Sequence, residues 1–181
     1  MKNVWSNTLA WFAAVALALF LAVAAPTESS VMGRLPTLQA KFLDQRPLAL
    51  PGGLASDRTL ALISFHRDQR PDVESWIQGM QLGSDPSIRW LRIPVVNDPG
   101  SDAGRSEIEA RLLAHYATDA AKTIVAPVFT DRSAFVRSAG LSGTERPYVM
   151  VVNRRGDVLA RVVGKFDPVK AETLRATLRG E

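Results

Sequence analysis

The stretch Thr59-Leu-Ala-Leu-Ile-Ser-Phe65 decides how this chain folds. Its apolar residues run without the alternation of a half-exposed strand, which is typical of a strand covered on both faces of a sheet. The polar loop His66-Arg-Asp-Gln-Arg70 follows, and Pro71 and Asp72 then favour the start of a helix. The apolar residues of that helix fall on one face, at Val73, Trp76, Ile77 and Met80. The pattern therefore predicts a buried strand that leads through a polar loop into an amphipathic helix.

Strand and helix patterns alternate on both sides of this unit. Upstream, two short edge strands are predicted within 38–51, around a turn near Gln45. Downstream, the pattern predicts a strand at 88–96, a helix from a capping box at 106–109 to about 121, a strand at 123–129, a short helix capped by Asp131, a hairpin of 147–153 with 157–164, and a last helix that begins at Pro168. This order predicts an α/β fold, a three-layer sandwich with a mixed central sheet.

The composition excludes several classes of function. The 181 residues contain no cysteine, so disulfides, thiolate metal sites, and thiol–disulfide or peroxidase chemistry through sulfur are excluded. Two histidines do not make a multi-histidine metal site, and the glycines match no nucleotide-binding fingerprint, so we expect no metal and no cofactor. The net charge of +4 is spread evenly along the chain, and nucleic acid is not an expected partner.

The N-terminal segment predicts export. Lys2 precedes an unbroken apolar run from Leu9 to Ala25, which is typical of a secretory signal cleaved after Ala24. The run also reaches the lower length limit of a membrane-spanning helix, so an uncleaved anchor is the alternative. The predicted organisation is a signal peptide or membrane anchor at 1–25, a polar tether at 26–35 and one domain at 36–181. The domain is expected to be periplasmic or exported, with membrane contact only through residues 9–25 if these are retained.

The element order over residues 36–180 resembles the thioredoxin-like fold. The segment Glu145-Arg-Pro-Tyr-Val-Met-Val-Val-Asn-Arg-Arg-Gly-Asp-Val158 is similar to that family's loop–proline–strand–turn–strand element, in which the proline is cis. The resemblance thus implies a cis bond before Pro147. It also places the loop 66–72 where the family carries its two-cysteine motif. Here the loop reads His-Arg-Asp-Gln-Arg-Pro-Asp, a departure that removes the family's redox activity.

A narrower resemblance links the chain to cysteine-less bacterial relatives of the mitochondrial ATP synthase assembly factor family. It rests on short matches, chiefly 59–65, Val73-Glu-Ser-Trp-Ile77, Arg92-Ile-Pro-Val95, Phe129-Thr-Asp-Arg-Ser-Ala-Phe135, and Gly156-Asp-Val with Gly164-Lys-Phe166. This resemblance implies an assembly or chaperone role in the cell envelope and no enzymatic reaction.

A ligand groove is predicted between the loop 66–72 and Pro147. Strand ends in α/β sheets face the ligand crevice, and in thioredoxin-like proteins the chain beside this proline pairs with an extended peptide. The candidate site residues are His66, Arg67, Arg70, Arg146, Pro147 and Tyr148. No catalytic residue is assigned, and His115, on a helix face, is expected to be structural.

The sequence is compatible with three functions. The first is an exported, non-enzymatic module that binds a peptide or protein segment of an envelope partner. The second is a cysteine-independent enzyme, or a protein that binds a small ligand or an anion, using His66 with Arg67 or Arg70. The third is a purely structural partner domain of an envelope assembly.

Overall fold

A computed structural model describes residues 31–116 and 118–180. The predicted signal or anchor and the first part of the predicted tether therefore lie outside the described residues. Within the described part, no helix is long and apolar enough to cross a membrane. The strands are β1 Leu38–Lys41, β2 Pro47–Leu50, β3 Thr59–Ser64, β4 Trp90–Asn97, β5 Val128–Thr130, β6 Tyr148–Val152 and β7 Val158–Val163. The helices are α1 Arg70–Gly79, α2 Asp102–His115, α3 Asp119–Lys122, α4 Arg132–Ser138 and α5 Pro168–Arg179, and a 3-10 turn at Arg67–Gln69 precedes α1.

The central sheet has the strand order β5-β4-β3-β6-β7. Strand β3 pairs parallel to β4 and antiparallel to β6, so it lies in the middle of a mixed sheet. All of β3 except Ser64 is buried, which agrees with its unbroken apolar sequence. Strands β1 and β2 form a separate antiparallel hairpin. The predicted strand 59–65 and the mixed sheet are confirmed.

Each face of the sheet has its own apolar core. Alternate residues of β3 point to opposite faces, as strand geometry requires. On one face, Leu60 and Leu62 pack with residues of α1 and α5, including Trp76 and Leu174. On the other face, Ile63 packs with residues of α4 and of the hairpin β1–β2. The predicted three-layer arrangement is confirmed, with the hairpin covering part of one outer face.

Helix ends in the middle of the chain differ from the sequence prediction. The capping box at 106–109 predicted a helix start there, but α2 begins at Asp102, because the Ser101 side chain accepts the Gly104 N–H at the N-cap. The helix ends at His115, and a separate helix, α3, starts after Thr118, whose side chain caps it. Ser101 directly follows Asp98-Pro-Gly100, whose residue types indicate a turn. The sequence therefore did not predict an N-cap at Ser101, five residues before Ser106.

Residues 31–35 belong to the domain, although the sequence predicted a polar tether up to residue 35. Leu35 is buried, and the Met32 N–H donates to the Val158 carbonyl at the start of β7. The Arg34 N–H also donates to the Ser138 carbonyl at the end of α4. Backbone pairing with β7 and α4, which hydrophobic patterning does not reveal, holds this short segment.

Asp157 ties this segment to the turn between β6 and β7. Its buried carboxylate accepts from Arg34 at 2.9 Å, from Arg155 at 3.0 Å and from the Asn153 amide at 3.0 Å. Hydrogen bonds from Asn153, Arg155 and Arg34 lower the pKa of Asp157 from 3.8 to about 2. The ionised carboxylate is therefore the form that the fold stabilises.

We predict that Asp157 makes the stability depend on pH in acid. Because its pKa is lowered on folding, its contribution is complete above pH 3.8 and is lost as the pH falls towards about 2. In Asp157→Asn, the free energy of unfolding should be lower at neutral pH and should fall less over this acid range. Urea denaturation at a series of pH values measures both effects. The control Asp57→Asn, at an exposed side chain, should follow the wild type; the same acid slope in all three proteins contradicts the prediction.

Trp76 anchors α1, and we predict that Trp76→Ala lowers the free energy of unfolding by about 3–5 kcal/mol. The side chain is fully buried, its indole N–H donates to the Gly164 carbonyl at 2.7 Å, and its ring meets Phe166 edge to face. Val169→Ala, at a side chain 77% exposed, should cost less than about 0.5 kcal/mol. Chemical denaturation of both variants checks the difference, and similar losses would contradict it.

Candidate functional site

A cleft of about 270 Å³ opens at the edge where the parallel strands β3 and β4 end. We call it the carboxyl-edge cleft. The connection from β3 to α1, the end of β4, helix α2 and the start of α4 contribute its walls. Its lining residues are Ser64, Phe65, His66, Arg67, Arg70, Pro94, Val95, Val96, Ile108, Arg111, Leu112, Tyr116 and Arg132. This edge is where α/β sheets bind ligands, because the loops that follow parallel strands converge there.

The cleft combines an apolar wall with a cationic one. Ile108 and Leu112 lie one helical turn apart on α2, and Pro94 and Val96 lie on the same face of β4. Four arginines and His66 also line the cleft, and none of the described lining residues is an aspartate or glutamate. An apolar surface beside uncompensated positive charge favours a ligand that carries both an apolar part and an anionic group.

The carboxylates nearest to this region bind other arginines. Glu74 of α1 forms an ion pair at 2.6 Å with Arg92, whose guanidinium also lies over the Tyr116 ring. Glu107 pairs with Arg111 one turn along α2. Within the described residues, Arg67, Arg70 and Arg132 have no carboxylate within ion-pair distance. The three therefore supply most of the unbalanced charge of the cleft.

Arg132 holds the strand ends at the base of the cleft. Its Nε donates to the Val95 carbonyl at 3.0 Å, and its Nη2 donates to the Phe65 carbonyl at 2.6 Å. The side chain thus joins the ends of β3 and β4. Partial burial lowers the pKa of Arg132. The guanidinium is nevertheless charged, because arginine stays protonated in proteins.

The structure brings together three of the six residues predicted from the sequence. His66, Arg67 and Arg70 line the carboxyl-edge cleft. The loop that carries them directly follows β3, as the buried strand and the start of α1 predicted. The Arg70 guanidinium lies 6.0 Å from the centre of the Tyr116 ring, so the start of α1 faces the end of α2 across the cleft.

Arg146, Pro147 and Tyr148 lie elsewhere, at the start of β6. Arg146 is exposed, whereas Pro147 and Tyr148 are buried. The Pro147 carbonyl accepts the Gly164 N–H, and the Tyr148 hydroxyl lies 2.9 Å from the Ser142 hydroxyl. The Tyr148 ring packs edge to face against Phe65. These three residues do not line the cleft.

The buried Gln69 side chain bridges the two loops between which the groove was predicted. Its Oε1 accepts the Phe65 N–H at 2.8 Å, and its Nε2 donates to the Thr144 carbonyl at 2.6 Å. The loop after β3 is therefore fastened to the loop before β6. The Phe65 N–H and the Thr144 carbonyl are thus already hydrogen-bonded to a side chain of the protein itself.

The expected cis bond before Pro147 is wrong. In the described residues, the cis peptide bond is Leu50–Pro51, at the end of the β1–β2 hairpin. Trans is the usual state of a bond before proline. The expectation rested on the resemblance alone. The structure shows instead a loop before Pro147 that is held by the hydrogen bond from Gln69 to the Thr144 carbonyl.

Sequence reasoning missed Arg111, Tyr116 and Arg132. Arg132 follows β5, another strand of the parallel set, so the rule that singled out His66 also applies to it. Arg111 of α2 and Tyr116, the residue that follows the helix, come three and four residues after Ile108 and Leu112 and so share their side. No sequence signal showed that this side of α2 borders a cleft.

Solved structures share this fold at low sequence identity. The exposed lipoprotein thioredoxin of Streptococcus pneumoniae is 9% identical, with a TM-score of 0.52, over 81% of this chain and 100% of that one. BsSco, a member of the Sco family of cytochrome c oxidase assembly proteins, is 13% identical, with a TM-score of 0.53, over 82% and 92%. A thiol:disulfide interchange protein from Bacteroides sp. is 12% identical, with a TM-score of 0.50, over 82% and 90%. No protein-family model matches the chain, and no curated protein matches its sequence.

The predicted thioredoxin-like fold is confirmed by these structures together with the strand order. The likeness at this identity shows the fold alone. Two of these structures are named as a thioredoxin and a thiol:disulfide interchange protein, whereas this chain has no cysteine.

We predict that Gln69→Ala lowers the free energy of unfolding by about 1–3 kcal/mol, because it leaves the Phe65 N–H and the Thr144 carbonyl without their partner. The loop 141–147 should also become more susceptible to protease. Urea denaturation and limited proteolysis measure the two effects. Gln78→Ala, at an exposed position of α1, is the matched control and should change neither; equal behaviour of the two variants contradicts the prediction.

Proposed function

We propose that this protein is an exported, non-redox thioredoxin-fold module that binds a segment of a protein partner in the carboxyl-edge cleft. The observation that carries the proposal is the cleft itself, which lies at the ligand-binding edge of the sheet and combines apolar and cationic walls. A cleft of about 270 Å³ has room for one or two side chains of a partner and not for a folded element.

Binding in the cleft replaces the mode that the sequence predicted beside Pro147. Strand addition at that loop requires free backbone groups, but the Pro147 carbonyl is already paired with Gly164 and the residue is buried. In the cleft, side chains supply the recognition instead. Affinity would come from apolar contact with Ile108 and Leu112 and from charge-assisted hydrogen bonds to the arginines.

Export and a role in envelope assembly are part of this proposal. The apolar run from Leu9 to Ala25 behind Lys2 supports export. Two of the similar structures, an exposed lipoprotein thioredoxin and a member of a family of cytochrome c oxidase assembly proteins, are consistent with it. The assembly role rests on the short sequence matches to relatives of the ATP synthase assembly factor family.

A cysteine-independent enzyme or small-ligand protein is the second candidate, and the position of His66 favours it. His66 is exposed and lines the same cleft, where its imidazole could accept or donate a proton. In a binding module, His66→Ala should leave partner binding largely intact. If His66→Ala abolishes the biological activity while the fold and the binding of the partner persist, the enzyme is the better interpretation.

We predict that a partner can be crosslinked from the cleft. A photoreactive benzoylphenylalanine in place of Arg111, in the full chain within its own cell envelope, should give a discrete adduct on irradiation. Arg111 suits this purpose because its side chain is about half exposed at the cleft and already pairs with Glu107. The same group in place of Val169, which is exposed on α5, is the matched control and should give no such adduct.

The adduct should also depend on an open cleft. In the Arg111 crosslinking protein, Ile108→Trp fills the cleft from α2 and should reduce the adduct by about tenfold, while circular dichroism shows an unchanged fold. An adduct that forms equally from both positions, or that survives Ile108→Trp, would overturn the proposed site. Mass spectrometry of the adduct identifies the bound segment.

A further inference from the structure

The Arg132 guanidinium is a charged group at the base of the cleft with only part of its hydrogen-bonding capacity used. Nε donates to the Val95 carbonyl and Nη2 to the Phe65 carbonyl. Nη1 donates to no acceptor among the described residues. Among the described residues, the one side-chain nitrogen or oxygen that is both fully buried and without a partner is Arg92 Nε. Arg132 Nη1 also has no partner, so it is not fully buried. Two N–H groups of Nη1 therefore remain open to a ligand.

The surroundings of Arg132 do not balance its charge. Neutral carbonyls orient the guanidinium but carry no negative charge, and no carboxylate is within ion-pair distance of it in the part of the chain that the structure describes. Partial burial without a counter-ion is costly, and desolvation accordingly lowers the pKa of this group. Arg67 and Arg70, which line the same cleft without a carboxylate partner, add to the positive potential.

From this geometry we infer that Arg132 is the anchor of an anion subsite that binds a carboxylate of the ligand, with Arg70 and Arg67 at the mouth of the cleft. The carbonyls of Val95 and Phe65 hold the guanidinium in a fixed orientation, so little side-chain entropy is lost when it binds an anion. A carboxylate fits better than a larger polyanion because Ile108 and Leu112 line the same small space.

This inference rests on the proposed function, since a protein segment supplies its negative charge as carboxylate unless it is modified. It adds a chemical requirement to that function. The segment must present an acidic side chain or its own C-terminal carboxylate next to an apolar side chain. Arg132 thereby acquires a second role besides joining β3 and β4.

Titration of the full chain with sodium acetate, followed by NMR of the arginine side-chain Nε–Hε groups at constant ionic strength in chloride, tests the inference. The Arg132 resonance should shift and saturate with a midpoint on the order of 1–10 mM, as expected for so small a ligand. The resonance of Arg137, an exposed arginine of the same helix, should not saturate. A parallel, non-saturating drift of both resonances would overturn the inference.

The acetate midpoints of variants, and the midpoint for a second anion, test the subsite further. Arg132→Lys keeps the charge but loses the planar fork, and its acetate midpoint is read from the Nε–Hε resonance of Arg70, which lines the same cleft. Arg70→Gln removes one charge and is read from the Arg132 resonance. Each variant should raise the acetate midpoint about fivefold or more. Arg137→Gln should leave it unchanged. If Arg132→Lys does not fold, the wild-type titration and Arg70→Gln still decide. Sodium phosphate in place of acetate should bind no more tightly, and a midpoint about tenfold lower for phosphate would overturn the assignment to carboxylate.

The two proposals fail separately. A partner adduct from position 111 without saturable acetate binding would overturn the carboxylate subsite and leave the proposed function standing. Saturable acetate binding at Arg132 without any adduct would overturn the protein partner and retain the anion subsite.

Discussion

The parallel pairing of β3 with β4 is the constraint on which the candidate site depends. It brings the carboxyl ends of both strands to one edge, and Arg132 holds them there through hydrogen bonds to the Phe65 and Val95 carbonyls. Every wall of the cleft is an extension of this edge. The loop 66–70 continues β3, the helix α2 follows β4, and α4 follows β5.

The absence of cysteine changes what the edge can do. In a thioredoxin-like protein with thiols, the loop after the central strand carries the reactive group. Here the same loop contains Gln69, whose buried amide joins the Phe65 N–H to the Thr144 carbonyl. The loop is thus fastened on the side of β6 and remains open on the side of β4, where His66, Arg67 and Arg70 face the cleft. The side chains that this loop leaves accessible therefore lie on the side that faces the end of α2.

The fold could be predicted from the sequence because its signals are local. An unbroken apolar strand, Pro71 at a helix start, and the caps at Asp131 and Asp167 each specify an element without reference to distant residues. The site could be predicted only in part. The rule for strand ends found His66, Arg67 and Arg70, whereas the burial of Tyr148 and the bridge from Gln69 to Thr144 are contacts across 75 or more positions that no local pattern contains. The cis bond before Pro147 was implied by the resemblance alone, and in the described residues the cis bond is Leu50–Pro51.

The positive charge of the cleft could not be predicted from the sequence either. With 22 basic and 18 acidic residues, the chain is nearly balanced, and no run of arginines draws attention to the cleft. The fold separates these charges in space. Asp98, Glu74 and Glu107 each pair with an arginine close to them, namely Arg105, Arg92 and Arg111. Arg67, Arg70 and Arg132 are brought together without such a partner. Because a solvated, paired charge contributes little to the field at a distance, the unpaired ones dominate inside the cleft. A chain that is mildly basic as a whole can in this way present a strongly cationic site.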